Sequence, residues 1–390
     1  MKKLVLLSLA ASSLLFAGGS IDSIDLKDYK VVEGTYSKAY LNGGLTIEGG
    51  NQDQTSYTGY LGANTNSLYT SKSYSWSLNG LARADFSRGD KKGDSTKKSY
   101  GAKLGTTFDK YLFDDDTFFG YGSADLGYRK LAMSDDADDP YFKIGAGVGY
   151  GRMYDATPLA KSLRILEDLV KYNIVKANLA QGVAFALAKV VDIEDEYESK
   201  YGSVDYKAYW YEAMEKVLQE NGALINGSLG AFGVARITEV LDIEKVAQRL
   251  HGWKVRGGFG KIISNYDGES EDVTIDLGFD YGLPLGLNTQ IINSASISKV
   301  LNDSDLEFTF SNTLTHTYEF SDRIDWENSW KLDFAKYDEA DDVTTNTLSS
   351  TFTYYLANQL SYDLTLSAGK TTGMDDWDTK LYTGITYRLK

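Results

Sequence analysis

Residues 306–320 read LEFTFSNTLTHTYEF, and this stretch alternates between apolar and polar side chains. Successive side chains of a β-strand point to opposite faces, so the stretch has one apolar face and one polar face. Strands usually contain about five or six residues, whereas this alternation continues over the whole of 306–320. A bilayer-crossing strand needs about nine to eleven residues for the hydrocarbon layer alone. The stretch therefore predicts a strand that lies between lipid and water.

The same alternation recurs in both the N-terminal and the C-terminal part of the chain. Val273, Ile275 and Leu277, for example, alternate with Thr274 and Asp276. We predict about fourteen strands, within a range of about 12 to 16. Their approximate ranges are 39–50, 56–66, 72–87, 98–109, 117–131, 140–153, 252–265, 272–282, 286–299, 304–320, 322–337, 343–357, 359–370 and 379–390.

The connections between the predicted strands are of two kinds, which alternate along the chain. One kind is longer and charged, as in RGDKKGDSTKK (88–98), SDDADD (134–139) and YDEADD (337–342). The other kind is shorter, as in YGLPLG (281–286) and FSDR (320–323). Long loops at one end and short turns at the other are typical of membrane barrels. The pattern predicts an all-β transmembrane barrel with antiparallel, up-and-down strands.

Residues 155–250 depart from this alternation and follow helical spacing instead. Asp155 or Thr157 can cap a helix that has Pro158 at its first position. The small-residue stretch 222–235 is ambiguous. Further helices are predicted near 176–191, 204–220 and 242–250. The chain thus carries an α-helical insert of about 95 residues between strands 6 and 7.

A soluble β-sandwich is the main alternative fold, because its half-buried strands would alternate in the same way. Its strands would be shorter than nearly all of those predicted here. Tyrosine and tryptophan near strand ends, such as Tyr281, Trp326 and Tyr387, fit the aromatic girdles of a membrane barrel. These features favour the membrane barrel over the sandwich.

The first residues, MKKLVLLSLAASSLLFAGGS, predict a secretory signal peptide. Lys2 and Lys3 are followed by an apolar run and by Ala17, a cleavage point before Gly18. The chain has no cysteine, so disulfides and thiolate metal sites are excluded. Its formal net charge of −15 argues against nucleic-acid binding, which requires a basic face. We therefore expect export through the periplasm to the cell outer membrane.

The signal peptide and both strand-rich regions together resemble Gram-negative outer-membrane β-barrel proteins of the porin-like type. The final stretch LYTGITYRLK resembles the C-terminal assembly signal of that class, although it ends in Lys390 rather than in an aromatic residue. The resemblance rests on pattern and identifies no specific family. It implies a barrel in the outer membrane.

The expected division of the chain has five parts. They are a signal peptide (1–17), an N-terminal periplasmic segment (18–38), barrel strands 1–6 (39–153), the helical insert (154–251) and barrel strands 7–14 (252–390). The first strand of such barrels normally starts in the periplasm. Because six strands precede the insert, we expect the insert to be periplasmic, or to fold into the lumen from that side.

Two glycine-rich strands flank the insert, KIGAGVGYGR (143–152) and WKVRGGFGK (253–261). Glycine lets another backbone approach closely, so one interpretation is a helix that packs inside the barrel against these strands. The other interpretation is that glycine only relaxes the curvature of the wall. A barrel plugged by a helix should conduct poorly until the insert is removed.

The two histidines offer little for catalysis. His316 lies in the apolar phase of its strand, as do the catalytic histidines of outer-membrane phospholipases. That family has a Ser-Asn-Gly segment nearby, whereas TYEFSDR follows His316, so the match fails. His251 is predicted to end a helix, where it would interact favourably with the helix dipole. No metal site and no cofactor are expected, and we do not expect an enzyme.

The remaining candidates for function are charged residues of the lumen and of the outer loops. We expect the polar face of each alternating strand to line the lumen. The charged lumen-facing candidates are then Asp276, Asp280, Glu307, Asp325, Glu327, Lys331 and Asp333. The loop residues expected to attract cations are Asp135, Asp136, Asp138, Asp139, Asp338, Asp341 and Asp342. Charged rings in a pore select ions by sign. This acidic balance predicts a preference for cations.

The sequence therefore predicts an outer-membrane channel for passive passage of small solutes, with the insert as a plug or gate. The alternative is a non-conducting anchor or assembly protein, whose insert docks a periplasmic partner. The expected partners are outer-membrane lipids, small solutes or cations and, through the insert, a periplasmic protein.

Overall fold

A computed structural model describes residues 24–113, 117–132, 134–243, 246–270, 273–301, 306–338, 340–357 and 359–389. The predicted signal peptide (1–17) lies outside the described residues. The first described element is a 3-10 helix, Leu26–Asp28, which Asp25 caps by accepting a hydrogen bond from the backbone N–H of Lys27.

Fourteen strands follow, which confirms the number predicted from the alternation. Most contain 12 to 16 residues, enough to cross a bilayer. Their bounds are β1 Gly34–Glu48, β2 Ser56–Thr70, β3 Tyr74–Arg88, β4 Lys97–Tyr111, β5 Phe118–Lys130, β6 Tyr141–Asp155, β7 Leu250–Ser264, β8 Val273–Leu285, β9 Thr289–Val300, β10 Leu306–Ser321, β11 Ile324–Tyr337, β12 Val343–Ala357, β13 Leu360–Thr371 and β14 Asp378–Arg388.

The strands form a closed barrel in which each strand pairs antiparallel with its neighbours in sequence. Closure comes from β1 and β14, which pair from Tyr40 opposite Arg388 to Gly43 opposite Ile385. A closed ring leaves no unpaired sheet edge in the hydrocarbon layer, where an unsatisfied backbone group costs several kcal/mol. The antiparallel up-and-down topology predicted from sequence is therefore confirmed.

The outer face of the barrel carries large apolar side chains. Leu45, Leu61, Phe259, Leu366 and Leu381 are all at least 57% exposed. In water such exposure would be costly, but it suits contact with lipid chains. Tyrosine and tryptophan occur near the strand ends, as in Tyr69, Trp76, Trp253 and Tyr387. An apolar band between aromatic girdles is the outer surface expected of a membrane barrel.

The helical insert contains four α-helices and a short π-helix. Their bounds are α1 Thr157–Lys171, α2 Gln181–Asp192, α3 Glu194–Glu220, α4 Gly230–Thr238 and the π-helix Glu239–Ile243. Pro158 stands in the first turn of α1, as predicted. Gly202 interrupts α3 with φ 79° and ψ 157°, values that only glycine adopts readily. Among the described residues, none of the helices is long and apolar enough to cross a bilayer.

The insert has a hydrophobic core of its own. Leu163, Leu166 and Leu187 are at most 1% exposed, and Trp210 and Met214 are completely buried. Burying one such side chain contributes roughly 1.5–3 kcal/mol. The N-terminal segment joins this core through Leu26 and through Tyr29, whose ring meets Phe185 of α2 edge-on at 5.4 Å. The insert therefore folds as a packed unit that includes the residues before β1.

The predicted helix at 242–250 is wrong. The π-helix ends at Ile243, and the last residues before β7 are not helical. Here the backbone carbonyl of Arg249 accepts a hydrogen bond from Ala156 N at 2.7 Å, which extends the pairing of β6 with β7. The guanidinium of Arg249 is completely buried against the barrel. These tertiary contacts outweigh the helical propensity of DIEKVAQRL.

An arginine placed on the two faces of β13 should have very different effects. Leu366→Arg puts a charge against lipid, and we expect it to lower the free energy of unfolding by about 2–4 kcal/mol. Thr365→Arg puts the same side chain in the aqueous lumen, where the charge stays hydrated, and should cost much less than Leu366→Arg. Urea titration of the barrel refolded into liposomes measures both. Equal losses for the two variants would contradict the assignment of faces.

Candidate functional site

A contact between distant strands shows which face of the wall is the interior. Lys254 Nζ of β7 lies 3.0 Å from Asp109 Oδ2 of β4. These strands are not neighbours, so the ion pair can form only across the concave inner surface. Lys143 of β6 and Asp276 of β8 likewise approach to 2.7 Å. The face of the sheet that carries these side chains therefore faces the lumen.

Acidic and basic side chains are paired along the lumen wall formed by β4–β8, which we call the mixed-charge wall. Arg256 Nη2 lies 2.8 Å from Asp280 Oδ2. Asp276 also accepts a hydrogen bond from Ser298 Oγ at 2.6 Å. Sequence reasoning named Asp276 and Asp280 but missed their basic partners. Lys143 precedes Asp276 by more than a hundred residues, so only the folded barrel brings these two side chains together.

The opposite lumen wall, β10–β13, is rich in hydroxyl groups, and we call it the hydroxyl wall. Inward serines and threonines pair across its strands, as in Thr351 and Thr365, whose Oγ1 atoms are 2.8 Å apart. The inward-facing serines and threonines of this wall include Thr309, Ser311, Thr313, Thr315, Thr317, Ser329, Thr345, Thr347, Ser349, Thr351, Thr353, Ser361, Thr365 and Ser367. These hydroxyl groups offer uncharged hydrogen-bond partners to a solute.

The other acidic candidates lie on this hydroxyl wall, in the same phase as its threonines. Asp333 accepts hydrogen bonds from Lys331 Nζ at 2.6 Å and from Ser311 Oγ at 2.7 Å. Asp325 is nearly buried and accepts a hydrogen bond from Tyr355 Oη at 2.7 Å. Glu327 is exposed to the lumen, opposite Thr317. The side chain of the remaining candidate, Glu307, lies outside the described residues.

The interior also contains a cavity of about 550 Å³ beside β1–β5, into which several polar side chains point. Cavities that bind small molecules typically measure about 300–1,000 Å³. Its inward-facing lining includes Tyr40, Asn64, Asn66, Asn79, Lys103 and Asp125. The lumen can therefore hold a small polar solute, and it presents both signs of charge.

One buried carboxylate joins the insert to the barrel. Glu319, near the end of β10, is only 2% exposed. Its Oε1 atom lies 2.8 Å from Arg249 Nη2 and accepts a hydrogen bond from Ala247 N at 2.7 Å. Its other oxygen accepts from Arg164 of α1. We call Glu319, Arg164 and Arg249 the Glu319 clamp. Sequence analysis placed Glu319 in the polar phase of β10 but assigned it no role.

The clamp also binds the turn between β8 and β9. Arg249 donates to the carbonyl oxygen of Leu287 at 2.7 and 3.0 Å, from Nη2 and Nε. Arg164 donates to Asn288 Oδ1 at 3.3 Å. The two guanidinium groups thus tie α1 and the start of β7 to one short stretch of the barrel rim.

The insert contacts the rim on the opposite side as well. Asp192, at the end of α2, lies beside Gly34, the first residue of β1. A Cβ placed on Gly34 would lie 3.3 Å from Asp192 Oδ2. In a ring of fourteen strands, β1 and β8 are half a circumference apart. An element that contacts both β1 and the β8–β9 turn must cross the mouth of the barrel.

No helix packs against the described glycines of β6 and β7. The interpretation that these glycines make room for a helix inside the barrel is therefore wrong. The atoms nearest to a Cβ on Gly147 belong to Gly257, Gly258 and Tyr121. Gly149 is covered by the ring of Phe119. The absence of Cβ atoms therefore lets the two strands approach closely, and aromatic rings of β5 fill the space above them.

Neither histidine belongs to a catalytic arrangement in the part of the chain that is described. His251 is the second residue of β7 rather than the end of a helix, so that prediction is wrong. Its Nε2 atom lies 2.8 Å from the carbonyl oxygen of Tyr29, and its ring stacks on Tyr154. The polar neighbour of His316 is Asn328, whose Nδ2 lies 3.4 Å from His316 Nδ1.

The acidic loop residues lie at the end of the barrel opposite the insert. In the β5–β6 loop, Asp138 Oδ2 lies 2.5 Å from Arg129 Nε, and the carbonyl oxygen of Asp135 accepts from Lys130 at 2.5 Å. Across the described ranges, no group of three or more His, Cys, Asp or Glu could hold a metal ion. Attraction of cations by these loops stays a prediction. The loop aspartates named from sequence are Asp135, Asp136, Asp138, Asp139, Asp338, Asp341 and Asp342.

Four features define the architecture. They are an apolar outer face, a polar lumen, an even number of strands, and connections that are longer at one end of the barrel than at the other. The fold is that of an outer-membrane β-barrel.

Similarity of this chain to known proteins is weak. No protein-family model matches the chain, and no curated protein matches it either. An outer-membrane channel from Pseudomonas putida F1 is 8% identical, with a TM-score of 0.36 over 96% of this chain and 100% of the other. OccK2 of Pseudomonas aeruginosa, solved with glucuronate, is 9% identical, with a TM-score of 0.36 over 91% of this chain and 97% of the other.

A BenF-like porin from Pseudomonas fluorescens Pf-5 is similar at the same level. Its identity is 8% and its TM-score 0.34, over 92% of this chain and 97% of the other. Identities and TM-scores of this size are too low to transfer a solute or a mechanism.

The variant Glu319→Gln should loosen the insert. It leaves two buried guanidinium groups without their countercharge, and removal of one partner from a buried ion pair typically costs about 3–5 kcal/mol. We expect faster hydrogen exchange at the amides of α1. The control Glu327→Gln removes a carboxylate that is exposed to the lumen and should leave this exchange unchanged. Equal exchange in Glu319→Gln and in the unmodified chain would contradict the role of the clamp.

The contact at Asp192 should depend on pH. Burial, together with the nearby charge of Asp155, raises the pKa of Asp192 from 3.8 to about 7, and Lys161 offsets part of this. Between these values the folded chain keeps a proton that the unfolded chain releases. The contribution of Asp192 is therefore fully present below pH 3.8 and is lost as the pH rises toward 7.

This dependence can be measured by hydrogen exchange of α2 at several pH values, corrected for the intrinsic exchange rate. We expect protection to fall between pH 4 and pH 7, and the fall to disappear in Asp192→Asn. The same fall in Asp192→Asn would assign the effect to another group.

Proposed function

We propose that the protein is a passive outer-membrane channel for small polar solutes, and that the helical insert closes its periplasmic mouth. The observation that carries the proposal is the position of the insert, which reaches from β1 to the β8–β9 turn across the mouth of a polar lumen.

The orientation follows from the connections. The insert lies at the end that also carries the short turns β8–β9, β10–β11 and β12–β13 and the start of β1. In outer-membrane barrels the short turns face the periplasm and the longer loops face the outside. We therefore assign the insert to the periplasmic side, and the acidic loops to the cell surface.

The way the insert is held favours a gate over a fixed plug. Its apolar core lies within the insert and the N-terminal segment. Its named contacts with the barrel are mainly polar and involve the strand ends and the β8–β9 turn. An element with a self-contained core can move as one body when a few polar contacts break. The Glu319 clamp and the Asp192 contact, on opposite sides of the mouth, would set the closed position.

A moderate cation preference is proposed for the open pore. The mixed-charge wall is balanced by Lys143, Lys254 and Arg256, so it selects weakly. Inward positions of β11–β13 within the described residues carry the carboxylates Asp325, Glu327, Asp333 and Asp363, against the single cation Lys331. Together with acidic outer loops and a net charge of −15, this surplus attracts cations to the path.

A disulfide that fixes the insert to the rim at β1 tests the proposal directly. The chain has no cysteine, so Gly34→Cys with Asp192→Cys introduces the only pair. A Cβ on Gly34 lies 3.8 Å from Asp192 Cγ, which is within reach of a disulfide. In planar bilayers containing a KCl gradient, the oxidised form should stay in a low-conductance state. Reduction should release larger openings whose reversal potential lies toward that of K⁺.

The two single-cysteine variants serve as controls and should not respond to reduction. Equally large conductance in the oxidised and reduced forms would contradict a closing role for the insert. Absence of conductance in every form, from protein that shows the heat-modifiable migration of a folded barrel, would contradict the channel itself.

The second candidate is a non-conducting anchor whose insert docks a periplasmic protein. The observation in its favour is an apolar surface on α3 around the break at Gly202. There Tyr201 stacks on Tyr209 with ring centroids 4.0 Å apart, and Val204 is 88% exposed. A silent barrel, together with cross-linking of a periplasmic protein from a photoreactive group at Val204, would favour this function.

A further inference from the structure

The lipid-facing surface of β9–β12 differs from the rest of the outer wall. Four asparagines lie in its outward phase, one on each strand: Asn293, Asn312, Asn328 and Asn346. His316 shares their surface, because it is paired directly opposite Asn328. We call these five residues the asparagine patch. Leu314 and Trp330, which are paired with each other, lie between its members.

The other ten strands have a different outer surface. Within the described residues, their outward positions between the aromatic ends carry no Asn, Gln or His. The polar residues found there are mainly Ser and Thr, which can bond to their own sheet. Thr106 Oγ1, for example, donates to the carbonyl oxygen of Ser77 at 3.0 Å. The patch is therefore a local feature of four adjacent strands.

Hydrogen bonds inside the patch satisfy only part of it. Asn293 Nδ2 donates to Asn312 Oδ1 at 2.9 Å, and Trp330 Nε1 donates to Asn346 Oδ1 at 3.3 Å. In the part of the chain that is described, the side-chain N–H groups of Asn312 and Asn346 have no acceptor. A primary amide in hydrocarbon without a partner is costly, because lipid chains offer no hydrogen bonds.

We infer that the asparagine patch is the surface through which two copies of this chain associate in the membrane. A partner must lie in the bilayer and present polar groups at the same depth, and a second copy meets both conditions. An asparagine side chain both donates and accepts, so a surface of asparagines is complementary to itself about a two-fold axis. Polar side chains of this kind are known to hold membrane segments together.

Cysteine cross-linking tests the inference in the native membrane. Leu314→Cys, at the centre of the patch, should form a disulfide with its copy and give a species of twice the mass. The matched control Ala82→Cys lies outward on β3, on the far side of the ring, and should remain single. Cross-linking at both positions, or at neither, would overturn the inference. Cross-linking of Leu314→Cys to a different protein would overturn it as well.

A second measurement counts copies by stepwise photobleaching in lipid bilayers. The unmodified chain should bleach mainly in two steps, whereas Asn312→Leu/Asn328→Leu/Asn346→Leu should bleach mainly in one. Leucine suits a lipid-facing position, so this variant should still show heat-modifiable migration. The control Thr65→Leu/Thr106→Leu changes outward residues elsewhere and should keep two steps. Single-step bleaching of the unmodified chain would contradict the inference.

Discussion

The structure depends first on the requirement that every backbone N–H and C=O in the hydrocarbon layer has a partner. A sheet meets it only by closing on itself, which here joins β1 to β14. Closure of an even number of up-and-down strands brings both ends of the barrel chain to the same rim. A segment inserted after an even-numbered strand must emerge at that rim too. The position of the insert below the short turns thus follows from the backbone pairing of the wall.

The barrel and the insert are stabilised in different ways. The wall is held by its hydrogen-bond ladders and by lipid on its outer face, and its interior is polar. The insert has a packed core that contains Leu163, Trp210 and Met214, and its contacts with the rim are mainly polar. Among the ion pairs named here, the one between Glu319 and Arg249 is the most deeply buried. Because the insert has its own core and is attached to the rim by polar contacts, it is well suited to move away from the mouth of the barrel and to return without unfolding.

The buried clamp also explains why residues 246–249, before β7, are not helical. A helix through 242–250 would turn successive side chains about its axis and would carry the backbone of Arg249 away from β6. In the structure, Arg249 reaches both Glu319 and Leu287 while its carbonyl oxygen accepts a hydrogen bond from Ala156 N. The helix propensity of residues 242–250 is therefore outweighed by one ion pair and by the backbone hydrogen bonds between β6 and β7.

Much of the barrel could be predicted from sequence, because alternation over more than ten residues is a local signal. The number of strands, their direction and the two kinds of connection all follow from it. The partners of the lumen carboxylates could not be predicted, since Lys143 and Asp276 meet only after the ring has closed. Alternation also predicts which face of the strand a residue lies on, but it does not predict how deeply the residue is buried. Glu319 was therefore indistinguishable from the other polar residues of β10. Each asparagine of the outer face is a polar residue in the mainly apolar phase of its strand. Only the pairing of neighbouring strands shows that these asparagines lie together.

The central claim is that the insert closes the periplasmic mouth of an otherwise open barrel. Asp155 and Leu250 are paired across β6 and β7, so an Asn-Gly turn can replace residues 156–249 without disturbing the wall. The most direct test is the single-channel conductance of this shortened barrel beside that of the full chain. The account predicts a steadily open, larger conductance in the shortened barrel and mostly closed behaviour in the full chain. Equal conductance in the two would contradict it.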